Sequence, residues 1–369
     1  MMHLKQYVYV IFLTLGFNSS IFSMEMLSVN PGTRAMAMAG AFTAQADDSS
    51  AIWYNAAALI HYNHIQKDFT FEVGQRNTTV PKNNDTFSSS VEFVPKFVSV
   101  YSQTPYKLYG SMPIGVGASY FSTYKAKIYI DAPQSLVTDE VFGDIEANYH
   151  QVSSMINLGV HSSLSVGATF DFLWLSISCL DFKPCVDNGP SAIGMTLSGM
   201  YDLVKKREFS LKIGGVWRSK AKLRYRSTPS SGISTVLTDY TPDRPDSKNI
   251  GISLQVPTQY FLINSNLILE STSWVDTAQR GQKLSNYQNI GASVEILSMV
   301  RSGKTYAIRF GSKLINNRTN DKFDAGILSL GLGYEIKKSH LVDVAFEHKK
   351  IRSFDDTNII SLSYSWQKL

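Results

Sequence analysis

The sequence predicts an all-β fold, a transmembrane antiparallel β-barrel of about 14 strands with an N-terminal hatch that plugs its lumen. The C-terminal residues indicate the barrel most clearly. Ile360, Leu362, Tyr364 and Trp366 share one face of a strand, and serines occupy the other face. Such a strand suits a sheet with lipid outside and water inside. The pattern recurs along most of the chain, in segments about as long as a tilted spanning strand requires.

The first 23 residues are typical of a secretory signal peptide. Lys5 is the only charged residue among them, and an apolar run at residues 7–17 is followed by mostly small residues at 18–23. A membrane anchor is the alternative, but this run is shorter than the ~20 residues that a spanning helix needs. We therefore predict a signal peptide at residues 1–23, the hatch at 24–65 and the barrel at 66–369.

The composition suits an outer-membrane barrel and argues against other classes. The chain has 20 Phe, 19 Tyr and 5 Trp, and aromatic residues form girdles at both interfaces of such barrels. No later apolar run approaches ~20 residues, which excludes a helical membrane protein. Without Lys5, 34 of the 35 basic residues remain against 30 acidic ones, a balance too mild to predict a nucleic-acid partner.

Residues 24–62 differ from the rest because they are rich in Ala, Met and Gly, and residues 47–50 predict the start of a helix over 51–59. The strands then follow one another. The apolar residues that mark them are Phe69, Phe71 and Val73; Phe97, Val98, Val100 and Tyr101; Ile114, Val116, Ala118 and Tyr120; Val152, Ile156, Leu158 and Val160; Leu164, Val166, Ala168, Phe170, Phe172 and Trp174; Ile193, Met195, Leu197 and Tyr201; Phe209, Leu211, Ile213 and Trp217; Ile250, Ile252, Leu254 and Val256; Ile263, Leu267 and Leu269; Ile290, Ala292, Val294 and Ile296; Tyr306, Ile308 and Phe310; Leu330, Leu332, Tyr334 and Ile336; Val342, Val344 and Phe346; and the C-terminal set.

The connections alternate in length, which supports the barrel independently. Connections after even-numbered strands are mostly short, and those after odd-numbered strands are mostly long, with residues 298–304 as the exception. Barrels of this kind have short periplasmic turns and long extracellular loops. The short ones are 104–107, 161–163, 205–208, 258–260 and 337–339, and the long ones are 77–94, 123–148, 178–190, 220–248 and 273–285.

If the apolar residues face lipid, their neighbours face the lumen. Glycine in a strand often marks the close approach of another segment, here the Ala- and Gly-rich hatch, although it also allows a sheet to bend. The inward glycines are Gly115, Gly117, Gly167, Gly194, Gly251, Gly291, Gly311, Gly331 and Gly333. Inward charges of both signs, which we expect to pair with one another and with the hatch, are Glu72, Arg76, Asp171, Lys212, Arg218, Glu270, Glu295, Arg309, Lys313, Asp343 and Glu347.

The remaining reactive residue types predict no catalysis. Cys179 and Cys185 lie in one loop, and an exported chain meets an oxidising compartment, so we expect a disulfide there, with two free thiols as the alternative. No histidine neighbours them, which makes a poor metal site. The seven histidines form no cluster with Asp, and no Gly-x-Ser-x-Gly motif is present. We therefore expect neither an enzyme nor a cofactor.

Residues 31–62 read PGTRAMAMAGAFTAQADDSSAIWYNAAALIHY. This stretch resembles the N-terminal hatch of the FadL/TodX-type outer-membrane transporters, which carry long-chain fatty acids and other hydrophobic compounds. The family pattern has Asn-Pro-Ala where this chain has Asn55-Ala56-Ala57, so a rigid turn is replaced. The matching residues are Gly32, Arg34, Ala35, Met36, Gly40, Ala41, Phe42, Ala44, Ala46, Asp47, Asp48, Ser50, Ala51, Tyr54, Asn55 and Ala57.

The resemblance implies a location and a route. The protein is expected in the outer membrane of a Gram-negative bacterium, in contact with its lipid and inserted by the barrel assembly machinery. Extracellular loops would capture a hydrophobic ligand, and movement of the hatch would release it sideways through the wall. The wall gap in the family accompanies a kink in the third strand, where Pro113, Gly115 and Gly117 weaken pairing here. Pro113 starting the strand is the alternative.

The ligand contacts expected from the resemblance lie mainly in the hatch. They are Phe42, Trp53, Tyr54 and Asn55, with Arg34 or Arg309 as partners for a carboxylate. Packing of the plug is the competing interpretation for the aromatic residues. Two rival functions share the barrel: a PorV-like shuttle of the type IX secretion system, which has the same hatch pattern, and a general diffusion porin, which a plug disfavours.

Overall fold

The structure, a computed structural model, describes most of the chain from residue 30 onward. The predicted signal peptide, the boundary at 65/66 and Cys185, and with it the predicted disulfide, lie outside the described residues. The described residues are 30–61, 67–82, 85–88, 94–109, 111–129, 144–179, 191–223, 244–273, 287–299, 305–317, 324–337, 339–351 and 357–368. Among them, no helix has the length and apolar character needed to cross a membrane.

Short helices come first and strands fill the rest. Helix α1 covers Thr33–Met36, α2 covers Ala51–Tyr54, and a 3-10 turn covers Ala58–His61. The strands are β1 (Lys67–Lys82), β2 (Asp85–Ser88), β3 (Val94–Leu108), β4 (Met112–Tyr129), β5 (Asp144–His161), β6 (Leu164–Cys179), β7 (Ser191–Lys205), β8 (Ser210–Arg218), β9 (Asp246–Pro257), β10 (Phe261–Ser273), β11 (Tyr287–Met299), β12 (Thr305–Asn317), β13 (Ala325–Lys337), β14 (His340–Ile351) and β15 (Thr357–Lys368).

The sheet is closed. From β3 to β15 each strand pairs antiparallel with the next along the chain, β1 pairs with β3, and β15 returns to pair with β1, where Trp366 lies opposite Phe69. The short strand β2 pairs only with the far end of β1. The predicted barrel of 14 strands is therefore confirmed, with β2 as an added hairpin arm. Closure leaves no edge whose backbone groups would be unpaired in lipid.

The connections lie at two different ends of the barrel. Residues 109–111, 162–163, 206–209, 258–260, 300–304 and 338–339 connect strands at one end, here named the turn end. The longer connections join strand ends on the opposite side of the sheet, and that side is here named the loop end. These connections confirm the predicted alternation of short and long connections. Several strands run further than predicted. For example, β4 continues to Tyr129 and β5 already begins at Asp144, because the two strands stay paired beyond the apolar band.

The two faces of the sheet have the predicted polarity. Leu330, Leu332 and Leu362 are exposed on the outside, whereas the serines of β15 point inward and are buried. One strand differs from the prediction. Phe97 and Tyr101 of β3, which we grouped with outward apolar residues, are buried inside, and Val100 is exposed. The lumen here is filled by protein, so an inward position can be as apolar as an outward one.

Residues 30–61, here named the inner segment, lie inside the barrel. Helix α2 is shorter than predicted, because it ends at Tyr54 and a separate 3-10 turn follows. Among the residues that the structure describes, the inner segment contacts every barrel strand from β3 to β15. The contacted strand residues, in chain order, are Ser99, Gly117, Asn157, Ser165, Ser198, Gly214, Gly251, Asn266, Glu295, Gly311, Gly331, Glu347 and Ser361.

Glycines make room for the inner segment at several of these contacts. A Cβ added at Gly311 would lie 2.2 Å from the carbonyl carbon of Met38, and one at Gly167 would lie 2.7 Å from the amide nitrogen of Ala57. The close-approach prediction is thus confirmed there and at Gly117, Gly251 and Gly331. The other inward glycines of the prediction face side chains of the barrel itself, and these are Gly115, Gly194, Gly291 and Gly333.

Replacing Gly311 with alanine should therefore weaken the packed lumen. We expect Gly311→Ala to lower the free energy of unfolding by about 1–3 kcal/mol, because the added methyl overlaps backbone that must move. Urea unfolding of the purified protein in detergent, followed by tryptophan fluorescence, measures the change. Gly215→Ala is the matched control, since a Cβ there would meet no atom within 4 Å. Equal losses in the two variants would contradict the close approach.

Candidate functional site

An arginine from the inner segment forms the centre of a charged cluster. Gly32, whose φ of +87° favours glycine, precedes α1 and directs Arg34 toward β11. The Arg34 guanidinium donates from Nε to Glu295 Oε1 and from Nη2 to Glu295 Oε2, both at 2.8 Å. This two-bond arrangement is the strong form of an arginine–carboxylate pair. Arg34 Nη1 also lies 2.6 Å from Asp47 Oδ1.

Glu295 receives hydrogen bonds from several sides. Arg309 Nε donates to Glu295 Oε1 at 2.7 Å, and Asn264 Nδ2 donates to Oε2 at 2.9 Å. Gln45 of the inner segment donates to the same oxygen. Arg309 in turn pairs with Asp343 on β14. The network, here named the Glu295 network, thus ties the inner segment to β10, β11, β12 and β14 near the turn end.

Both arginines that we predicted as carboxylate partners for a ligand are engaged within this network. Arg34 faces Glu295 and Asp47, and Arg309 faces Glu295 and Asp343. A ligand carboxylate would have to displace an internal one at either position. Glu295 was recognised in the sequence only as one of many inward charges, and its central position follows from the path of the inner segment.

Asp48 beside the network completes the turn that precedes α2. The Asp48 carboxylate accepts a hydrogen bond of 2.9 Å from the amide of Ser50. The predicted helix start is found at this place, but Ser50, the N-cap of α2, makes no side-chain capping bond. Burial raises the pKa of the Asp48 carboxyl above its ordinary value, and the nearby Arg34 guanidinium opposes that rise. Asp48 is therefore held by the Ser50 amide within the turn and by the nearby Arg34 guanidinium.

Three of the predicted ligand contacts pack against the inner segment itself, and one of them also bonds to β7. Phe42 and Tyr54 meet edge to face with ring centroids 5.6 Å apart, and both are buried. The side-chain amide of Asn55 donates to the carbonyl oxygens of Thr43 at 2.9 Å and Gly199 at 3.1 Å. These contacts give all three residues a packing role. Whether any of them also touches a ligand stays a prediction.

Trp53 has a different environment. Its ring is only partly buried, and it lies 4.9 Å from the ring of Phe121 on β4. The guanidinium of Arg218, the last residue of β8, lies 4.7 Å from the centre of the Trp53 ring. Arg218 also donates to the carbonyl oxygen of Trp53. We name Trp53, Phe121 and Arg218 the aromatic shelf, in which Phe121 and Arg218 are buried and Trp53 keeps part of its surface exposed.

A second buried ion pair lies toward the loop end. Arg244 Nη1 is 2.6 Å from Asp171 Oδ2, and the same carboxylate accepts hydrogen bonds from Ser153 and Thr196. Arg244 belongs to a stretch that forms a bridge with Ala221, at the base of the connection between β8 and β9. We did not predict Arg244, because a loop position carries no alternation from which its orientation could be read.

The predicted lateral-gate residues lie in a paired part of the wall. Gly115 and Gly117 of β4 are in register with Gln103 and Tyr101 of β3, and Pro113 is in register with Lys107. The register irregularity lies on β3, between Gln103 and Lys107. Thr104 bridges this part of the wall, since its hydroxyl donates to the carbonyl oxygen of Ile114 at 3.1 Å. A gate at these residues stays a prediction.

Within the described part of the chain, no group of His, Cys, Asp and Glu residues is arranged to hold a metal ion. The acidic residues inside the barrel are instead used in pairs with arginine and lysine, as at Glu295 and Asp171. The interior is therefore built from ion pairs and packed apolar groups.

Comparison with known proteins concerns the fold. No family model and no curated protein matches the chain. Among solved structures, the Ralstonia pickettii toluene transporter TbuX aligns at a TM-score of 0.59 and 14% identity, over 92% of this chain and 98% of that one. The CymD monoaromatic hydrocarbon channel aligns at 0.57 and 15%, over 93% and 98%. A Pseudomonas aeruginosa FadL homologue aligns at 0.54 and 10%, over 93% and 100%.

The fold expected from residues 31–62 is confirmed by these alignments, because the chain has the barrel fold of the FadL- and TodX-type proteins over most of its length. Two of the three neighbours are named as a transporter and a channel.

Removing the charge of Glu295 tests the network. We expect Glu295→Gln to lower the free energy of unfolding by about 3–5 kcal/mol, because Arg34 and Arg309 lose a shared anion in a buried place. Urea unfolding in detergent gives the value. Glu208→Gln, at an exposed turn residue, is the control and should change it by less than about 0.5 kcal/mol. A loss no greater than that of the control would mean that the network does not hold the inner segment.

Proposed function

We propose that this protein lies in the outer membrane and carries hydrophobic compounds across it, with long-chain fatty acids among its substrates. The support is the closed barrel with an apolar exterior, together with a fold shared with hydrocarbon transporters and a FadL homologue. An apolar molecule gains little from a water-filled pore, whereas a partly apolar interior spares it contact with water.

One observation carries the proposal: the inner segment contacts thirteen of the fourteen barrel strands, counted over the described side chains. A lumen filled in this way disfavours a general diffusion porin. It acts as a hatch, and a ligand passes only when part of the hatch moves. Trp53, the predicted aromatic contact that keeps exposed surface, is the first hatch residue that the ligand meets.

The ligand then leaves sideways through the wall between β3 and β4. Pairing there is already irregular on β3, and Pro113 of β4 has no amide hydrogen to donate to the ladder. Gly115 and Gly117 add no side chain that would hold the wall closed. Lateral exit takes an apolar ligand from the interior directly into the membrane, so that it avoids the aqueous periplasm.

Uptake measurements test the substrate class. Cells that lack their own fatty-acid and hydrocarbon transporters and express this protein should accumulate a radiolabelled long-chain fatty acid or radiolabelled toluene faster than cells with an empty vector. Purified protein in planar bilayers should show no conductance in the nanosiemens range. Large conductance would favour a porin, and co-purification of a secreted cargo protein without uptake would favour the PorV-like alternative.

Disulfide locks test movement of the hatch. The Ser49 and Ser99 hydroxyl oxygens are 2.5 Å apart, and those of Thr33 and Ser361 are 2.8 Å apart, so the side chains of each pair touch and each pair is a site at which to introduce a cysteine lock. We expect oxidised Ser49→Cys/Ser99→Cys protein to lose at least about ten-fold in uptake, because the lock joins the hatch to β3 beside the proposed exit.

The locks are compared in a background with Cys179 and Cys185 replaced by serine. Reduction should restore uptake in the locked protein, and each single cysteine variant should behave as the parent protein. The Thr33→Cys/Ser361→Cys lock shows whether the first half of the hatch must move as well. Unchanged uptake in both oxidised proteins would contradict hatch movement.

A further inference from the structure

Arg218 differs from the other inward-pointing arginines whose side chains the structure describes. Arg34, Arg244 and Arg309 each form an ion pair with a carboxylate, as does Lys313 with Glu270 at 2.6 Å. Of the carboxylates whose side chains the structure describes, none forms an ion pair with Arg218. Its polar contact is the carbonyl oxygen of Trp53, and the face of the Trp53 ring lies below its guanidinium.

A buried guanidinium without a counter-charge lowers the stability of the fold. Arg218 is 7% exposed. A guanidinium has five N–H groups, and one carbonyl oxygen satisfies only a small part of that capacity. The nearby acids are already taken, because Asp171 binds Arg244 and Glu270 binds Lys313 and Asn289.

Among the side chains that the structure describes around Arg218, Asp171 pairs with Arg244 and Glu270 pairs with Lys313, which leaves Arg218 as a cation without an ion pair. Beside that cation lie the rings of Trp53 and Phe121, whose centroids are 4.9 Å apart. The group that completes this arrangement is a single negative charge attached to an apolar body. Among negatively charged groups, a carboxylate is favoured because its two oxygens match the paired N–H groups of a guanidinium.

We propose that Arg218 binds the carboxylate of an amphipathic ligand whose apolar part packs on the exposed part of Trp53, which the buried Phe121 ring supports from behind. This assignment rests on the proposed transport function and narrows it: the protein distinguishes ionised from neutral hydrophobic compounds. It also moves the anion contact away from Arg34 and Arg309, which are held by Glu295, Asp47 and Asp343. The aromatic shelf then selects the ligand, and the Glu295 network holds the hatch.

Binding of a matched pair of ligands tests the assignment. Radiolabelled dodecanoate and dodecanol, which share a chain length and differ in charge, are bound to the purified full-length protein in detergent at pH 8. Binding to empty micelles of the same detergent is subtracted. We expect dodecanoate to bind at least about ten-fold more tightly than dodecanol, because hydrogen bonds to a charged group contribute more than neutral ones.

Variants then locate the effect. Arg218→Gln should weaken dodecanoate binding by about ten-fold or more and leave dodecanol binding within about two-fold. Arg218→Lys should keep part of the preference, since it keeps a point charge without the planar fork. Arg207→Gln is the control because Arg207 lies in an exposed turn at the opposite end of β8, and it should bind both ligands as the parent protein does.

The outcomes separate the two proposals. Equal binding of dodecanoate and dodecanol by the parent protein overturns the role of Arg218 and leaves hydrophobic transport standing. Equal weakening of both ligands by Arg218→Gln overturns that role as well. Binding of neither ligand, together with absent uptake of fatty acid and toluene in cells, overturns the proposed function and this assignment with it. The comparison in the parent protein needs no variant, so it holds even if Arg218→Gln fails to fold.

Discussion

Glu295 joins the inner segment to the barrel wall, and the filled lumen depends on that connection. The inner segment has little regular structure of its own, with two helices of four residues each and one 3-10 turn. Helices this short are unstable alone, so their conformation comes from the wall around them. The charged hydrogen bonds of Arg34 and Gln45 to Glu295 fix the segment near β11. Glycines such as Gly311 then admit its backbone on the remaining sides.

The contacts that hold the inner segment differ in kind from one side of the barrel to the other, and this difference decides which part of the segment can move. Residues 30–48 are held by ion pairs and hydrogen bonds to β10–β15 and reach β8 and β9. Residues 49–61 lie against β3 to β8 mainly through neutral hydrogen bonds and apolar contacts, and the one charged group described against them is Arg218, at Trp53. Neutral hydrogen bonds can exchange with water or ligand at small net cost, while a buried ion pair is expensive to separate. Among the described residues, the second half, which carries Trp53 and lies next to β3 and β4, forms no ion pair with the wall, so it is the part that would move at lower cost in the proposed hatch movement.

The sequence predicts the fold well because alternation of period two is a local property. Leu330, Leu332 and Leu362 can be assigned to the outside from their neighbours alone, and their exposure agrees. Phe97 and Tyr101 are misassigned because the lumen beside β3 is apolar, so both faces of that strand carry large residues. The partners of Arg34 and Arg309 could not be predicted, since they depend on the path of a segment without periodicity. Arg244 lies at the base of a loop and gave no signal in the sequence.

The arginines in this lumen differ in whether a carboxylate of the protein lies within reach of the guanidinium. Arg34 and Arg309 meet carboxylates of the protein itself, and their charge is neutralised in building the closed interior. Arg218 sits where the carboxylates already have other partners and where aromatic rings replace them as neighbours. A cation–π contact offsets only part of the cost of removing a guanidinium from water. The proposed ligand carboxylate would supply the counter-charge that Arg218 does not find among the described carboxylates.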